Sequence, residues 1–210
     1  MESVSNIHIL SISGGHLSFD FINTVSSRQE NSENYDYFQT YHDFLLWCQR
    51  LEILTEESTD NLSTFSKRHP KITDQTLSKI VAVREDLYIL FFHIVKTGIA
   101  GIPEKVLQKF NYYVSEALSQ IKLDLKDDKF VSSFSDLKNP LEEPLCIILK
   151  TTADLLMAGD YQRIKQCGNC DWLFLDTTKN NKKRWCSAST CGSVEKSKRY
   201  YQKRKSKKTS

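Results

Sequence analysis

The sequence predicts an α+β chain, with a mostly helical N-terminal domain carrying small β elements and a compact cysteine-bearing module at the C-terminus. Three observations lead there. Apolar residues recur at helical spacing through most of the first 160 residues, and most regularly at Ile72, Thr76, Ile80, Val83, Leu87, Leu90, Phe91 and Ile94. Strand-like alternation is confined to short stretches. Four of the six cysteines fall between Cys167 and Cys191. At 210 residues, 40% hydrophobic and 26% charged, the chain can bury one substantial core plus a small appended module. The expected division is 1–159 and 160–210.

In chain order, Asn6 to Ile12 alternates as a strand, Gly14-Gly15 is a tight turn, and Leu17 to Phe21 continues as a second strand. Asp20, Asn23 and Thr24 are polar groups among large apolar ones. They read as capping and turn residues, or else as the lining of a small-ligand pocket. Residues 30–37 read as a loop. Tyr41 to Leu51 fits a helix with Phe44, Leu45, Trp47, Cys48 and Leu51 inward, and Thr55 caps a second helix that Pro70 closes. The long periodic segment from Ile72 to Thr97 is the central core helix, with Gly98 as its stop. Arg84 lies within it among apolar neighbours; it reads first as a paired structural guanidinium and second as the holder of an anionic ligand. Pro103 opens a helix over 104–119, residues 121–134 form a hairpin turning at Lys126 to Lys129, and a last helix runs from Pro140 to Gly159.

The cysteines carry the strongest signal. Cys167 and Cys170 are separated by two residues, Cys186 and Cys191 by four, and fifteen residues lie between the pairs. Two close pairs on a hairpin-length spacer form a zinc-site pattern, and four thiolates make a closed structural site for one Zn²⁺. Gly168 and Asn169 are expected to take left-handed backbone angles in the first turn. Trp172 to Leu175 and Lys182 to Trp185 read as the two strands of a hairpin. Ser187 or Ser189 caps a following helix whose Val194, Ser197 and Tyr201 pack on the hairpin aromatics. Knuckle, hairpin and helix together describe a treble-clef-like zinc finger. Disulfides would need an oxidising compartment, and the polar Met1 to Asn6 does not read as a secretory signal, so a cytoplasmic protein with reduced thiols is expected. Cys48 and Cys146 read as ordinary buried thiols.

Charge is segregated along the chain. Residues 1–160 hold 15 Lys and Arg against 23 Asp and Glu, whereas residues 161–210 hold 14 against 3. A net charge of +11 on the last fifty residues within an overall +3 points to an anionic partner at the C-terminal end. Lys182, Lys183 and Arg184 form one basic cluster. Lys196, Lys198, Arg199, Lys203, Arg204 and Lys205 form a second, of which Lys196, Arg199 and Lys203 share a helix face. The two are expected to converge as a phosphate-contacting surface. No apolar run approaches the ~20 residues of a membrane helix, and no phosphate-cradling loop, zinc-protease helix or nucleophile elbow is present, so no enzyme activity is expected.

The run from Trp172 to Thr177, then Arg184 to Ser187, then Cys191-Gly192 before a basic helix, resembles the CGNR zinc finger. That finger closes bacterial proteins with an N-terminal ABATE domain, described as stress-induced transcription regulators. Leu17-Ser-Phe-Asp-Phe-Ile-Asn-Thr-Val25 resembles the opening motif of the same family. The resemblance implies a DNA-binding regulator and a small-molecule effector near Asp20, Asn23 and Arg84; the sequence leaves open whether the chain is a homodimer. One departure stands out, because Ser193-Val194 occupies the place of the Asn-Arg that names the finger. This departure supports an alternative reading as a zinc-stabilised module for protein or RNA interaction without specific DNA readout.

Overall fold

The computed structural model describes residues 6–29, 34–134 and 137–208. Its axis is the helix α4 (Pro70–Thr97), 28 residues long and therefore about 42 Å from end to end. Thr76, Ile80, Val83, Arg84, Leu87, Leu90, Phe91 and Ile94 form its buried stripe. Around it pack α1 (Leu17–Ile22), α2 (Tyr41–Arg50), α3 (Glu56–Arg68), α5 (Glu104–Leu118) and two C-terminal strands. The helix α6 (Glu143–Ala158) closes the bundle against α1 and α5. Phe21, Phe38, Phe44 and Trp47 interlock as an aromatic cluster with centroids 5.3 to 6.4 Å apart. The architecture is that of a mostly helical α+β protein with two small sheets.

The expected strands at the N-terminus are helical instead. Asn6–Ile9 is a 3-10 turn and Leu17–Ile22 is α1. Alternation of Phe19 and Phe21 with Ser18 and Asp20 imitates a half-buried strand, yet all four are buried. The polar pair is accommodated by bonding. Ser18 Oγ lies 2.8 Å from Thr152 Oγ1, and Asp20 Oδ1 accepts the Gly14 N–H at 2.7 Å. His16 caps the helix by accepting the Ser18 N–H on Nδ1 at 3.2 Å, and burial lowers its pKa so that the ring keeps the free lone pair.

The remaining helices follow the sequence closely. Thr40 and Asp43 make a reciprocal capping box at α2. Thr55 caps α3 through the Ser58 N–H. Pro70 does not only end α3; it occupies the first turn of α4, and His69 alone separates the two helices. Along α5, Phe110 and Ala117 are buried, while Leu107 and Leu118 are exposed. The hairpin of β1 (Lys122–Lys126) and β2 (Lys129–Ser133) turns on Asp127 and Asp128, both at positive φ. Cys48 and Cys146 are buried thiols, as expected. No helix among the described residues is long and apolar enough to cross a membrane.

The second sheet is not the expected hairpin. The strand β4 (Leu173–Leu175) pairs antiparallel with β3 (Ile164–Gln166), in the register Ile164↔Leu175, Lys165↔Phe174, Gln166↔Leu173. Residues 182–185 form no strand. Lys183 spends its N–H on the Asp176 carboxylate at 2.7 Å, so it has no donor left for a ladder, and Arg184 gives its carbonyl to the Gly168 N–H. The helix α7 (Cys191–Lys208) ends the described chain. Val194 and Tyr201, expected to pack inward, are 45% and 66% exposed.

Candidate metal centre and the basic surface around it

Cys167 and Cys170 lie on the turn between β3 and β4, Cys186 on the loop after β4, and Cys191 at the first turn of α7. These elements bring all four sulfurs within 4.8 Å of one another. Two separations, Cys170 to Cys186 and Cys186 to Cys191, are each 3.7 Å. A tetrahedron of sulfurs about 2.3 Å from a central zinc has edges of about 3.8 Å, whereas a disulfide would need about 2.05 Å. The set matches the metal site and excludes the disulfide. Three of the sulfurs belong to buried residues and only Cys170 is partly open, and a four-thiolate site leaves no position for a reacting water. The four cysteines can hold one zinc ion.

Backbone donors support the cluster. The N–H groups of Cys186 and Asn169 favour the thiolate of Cys167, and that of Trp172 favours the thiolate of Cys170. Hydrogen bonds from the Cys170 and Cys186 thiols hold Cys167 below the ordinary thiol range, and the same bonds hold Cys170 and Cys186 above it. Four bare thiolates cannot share so small a space; a bound dication would offset half of their charge and displace the retained protons. The Cys167 N–H donates to Trp172 O at 2.7 Å and Asp171 N–H to Cys167 O at 3.1 Å. The left-handed residue of this turn is Asp171, with φ 59°. Gly168 and Asn169, expected to take that role, have negative or ordinary φ. Asn169 instead works through its side chain, donating to Cys191 Sγ at 3.6 Å and accepting from Lys198 Nζ at 3.0 Å.

A second organising group is Asp176, which is fully buried. Burial would raise its pKa, but the Lys165 ammonium at 2.6 Å and bonds from Thr178 and the Lys183 N–H outweigh it and hold the carboxyl below the usual range. Arg163 fastens the same loop by donating to the carbonyls of Asp176 and Thr178 at 2.9 and 2.8 Å. Nothing in the sequence pairs Asp176 with Lys165.

The cysteine module is continuous with the helical core. Ile164, Cys167, Trp172, Leu173, Phe174, Cys186 and Cys191 belong to the same packed cluster as Phe19, Trp47 and Phe91. A run of bonds joins the N-terminal segment to the module: Leu175 N–H to Gly14 O at 2.8 Å, Asn23 Nδ2 to Leu173 O at 2.8 Å, and Trp172 Nε1 to Val25 O at 2.9 Å. Arg28 N–H to Cys170 O at 3.1 Å and Gln29 Nε2 to Asn169 O at 2.7 Å complete it. The N-terminal numbers rise as the module's fall, so the two segments run antiparallel. Gly15, at φ +74°, lies where a Cβ would stand 2.6 Å from Leu175 O, which fixes glycine at that contact.

Asp20, Asn23 and Arg84 serve this frame. Asp20 bonds Gly14, and Asn23 ends α1 and bonds Leu173. Arg84, 2% exposed, makes a two-point pair with Asp36 at 2.7 and 2.6 Å, adds Glu85 at 2.9 Å, and donates to Thr24 Oγ1 at 3.1 Å. Glu85 also pairs with Arg28. The structural reading of Arg84 therefore describes its surroundings: every guanidinium nitrogen is engaged. Its partner Asp36 lies in a stretch with no sequence period to mark it.

The basic residues divide between two elements. Lys182, Lys183 and Arg184 lie on the loop after β4, beside an open groove that also takes in the end of α4. Lys196, Lys198 and Arg199 are exposed on α7, where Arg199 pairs with Glu195 at 3.1 Å. Arg204 stands over the Tyr200 ring. The side chains of Lys203 and Lys205 lie outside the described residues. Among the described residues, none of α7 lines the groove.

With the cysteine tetrad and the helix after it in place, comparison with known families adds one result. Residues 163–204 match the model of the CGNR zinc finger. The match covers every cysteine of the tetrad and most of α7. No curated protein matches the chain. In this finger Ser193 Oγ donates to Ala188 O at 3.4 Å and Val194 is turned outward, so the two positions that depart from the family motif lie on the surface at the start of α7.

Proposed function

We propose that the protein is a DNA-binding transcriptional regulator whose finger, folded by one structural zinc, presents a cationic surface to the phosphate backbone. The observation that carries this reading is the separation of charge: a net +11 on residues 161–210 is mounted on a zinc-stapled fold, and most of the described cations there have no acidic partner. Phosphate contacts of this kind need no base readout and weaken steeply with salt. Zinc acts by holding the surface in shape and takes part in no reaction.

The likeness of Leu17 to Val25 to the ABATE opening motif supports a sensing role for residues 1–159, with residues 160–210 as the DNA-contacting part of a cytoplasmic, non-enzymatic protein. A small-molecule effector and a homodimer belong to the same reading. Because the finger shares the helical core, deleting it would open that core to solvent, so point substitutions are the cleaner tool. The test is fluorescence anisotropy on a labelled duplex, comparing the full chain with K196A/R199A. Weakened binding with a shallower salt slope is expected; unchanged binding would remove α7 from the interface.

The replacement of the family Asn-Arg by Ser193-Val194 favours a second reading, in which the same surface binds RNA or an acidic protein without specific DNA readout. Equal displacement of the duplex by unrelated RNA and by heparin would establish that reading in place of the first.

A further inference from the structure

The groove beside the finger is lined on one side by the end of α4, at Val95 and Lys96, and on the other by β3 and the loop Asn181 to Arg184. It is open to solvent. Five of its lining residues are cationic, Lys96, Lys165, Lys182, Lys183 and Arg184, and none is acidic. Lys165 is neutralised from behind by Asp176. Among the described residues the other four have no ion-pair partner. Three of these four are instead steadied by aromatic rings: Lys96 by Phe92 at 5.3 Å, Lys183 by Phe174 at 5.0 Å and Arg184 by Trp185 at 5.3 Å.

That arrangement is unusual for a surface whose only task is solubility. A carboxylate partner would orient a lysine and cancel its charge. An aromatic face orients it and leaves the charge available. Lys183 also lies within electrostatic reach of the Asp20 carboxyl, which leaves Lys96, Lys182 and Arg184 as the cations that concentrate positive potential along the groove, where an anion can enter.

We infer that this groove is a composite phosphate-backbone site, in which Lys96 at the end of the central helix binds the same nucleic-acid strand as Lys182 to Arg184 of the finger. This rests on the DNA-binding reading above and adds to it the direct participation of the helical part. Lys96 lies on a helix far outside the matched finger, and its place in the interface follows from the groove alone. The occupant is a linear polyanion with regularly spaced phosphates, because the cations are strung along a groove and no closed pocket gathers them round a single anion.

The test uses the zinc-loaded full chain and a fluorescein-labelled random-sequence duplex, with anisotropy titrations between 50 and 200 mM salt. Lys96→Ala is compared with Lys105→Ala, an exposed lysine on α5 outside the groove. Loss of one phosphate contact lowers the slope of log K against log salt by about 0.9, so the affinity deficit of K96A should shrink about 3.5-fold from 50 to 200 mM salt. K105A should match the wild type. If K96A binds like the wild type while R184A is weakened, the composite groove is refuted and the finger alone carries the interface. If the wild type itself fails to bind at 50 mM salt, the DNA-binding reading falls first and this inference with it. Free inorganic phosphate competing as well as the duplex at equal phosphate concentration would also overturn the linear-polyanion assignment.

Discussion

Replacing Trp172 with Phe tests whether the finger is an appendage or part of the core. Trp172 is 6% exposed and its indole N–H donates to Val25 O across the seam at 2.9 Å. Phenylalanine keeps most of the apolar contact but leaves the buried Val25 carbonyl without its partner. An unpaired buried polar group costs about 1–3 kcal/mol, so about 2 kcal/mol is expected. For a chain of this length that lowers the melting temperature by about 4–8 °C. The assay follows the same sample two ways, by far-UV circular dichroism, which the helices α2 to α6 dominate, and by release of zinc to a chromogenic chelator. Because Trp172 and Phe91 lie in one packed cluster, both transitions should move together and by the same amount. Zinc release shifted to lower temperature with helix melting unmoved would refute the shared core and restore the finger as an independent module.

Other consequences follow from single residues. Burial pushes the Asp20 carboxyl up to about 6, so its contribution is complete below about pH 4 and is lost as pH rises through 6; D20N should flatten that part of the urea-stability profile, worth up to about 3 kcal/mol, and an unchanged slope would contradict the assignment. D36A leaves Arg84 buried with only Glu85 as an acidic partner and should cost about 3 kcal/mol by urea denaturation, with a loss under 1 kcal/mol counting against the pair as an anchor of α4. Zinc-edge X-ray absorption on the purified protein should show one ion with four sulfurs at about 2.3 Å, and a nitrogen or oxygen ligand in the shell would break the Cys167, Cys170, Cys186, Cys191 assignment.

What the sequence disclosed depended on how local each signal was. The long period from Thr76 to Ile94, the caps Thr55 and Pro103, and the hairpin turn at Asp127-Asp128 depend on neighbours within a few residues, and all were legible. The cysteine spacing was legible for the same reason: two pairs with a hairpin-length spacer limit the geometry before any fold is known. The failures involve distant partners. Leu17 to Ile22 alternates like a strand, and only Thr152 and Gly14, which bond Ser18 and Asp20, explain why it is helical with every side buried. β4 needed a partner, and Ile164 to Gln166, upstream of the cysteines, is too short to announce itself. Asp36 opposite Arg84 and Asp176 opposite Lys165 are ion pairs made by the fold, with no mark in the sequence. Val194 and Tyr201 show the opposite error, since helical spacing suggested a long buried face on a helix that, among the described residues, is buried only at Cys191 and Gly192.

The central claim is that zinc holds a cationic surface in the shape that binds DNA, and one comparison tests it directly. The full chain, zinc-loaded and then stripped by a chelator, is titrated against the same random-sequence duplex from low to physiological salt. The account predicts salt-steep binding by the loaded protein, loss of that binding on stripping, and its return when zinc is restored. Equal binding by the loaded and stripped forms would contradict it, because the basic residues would then act as a charged chain with no need of the folded finger.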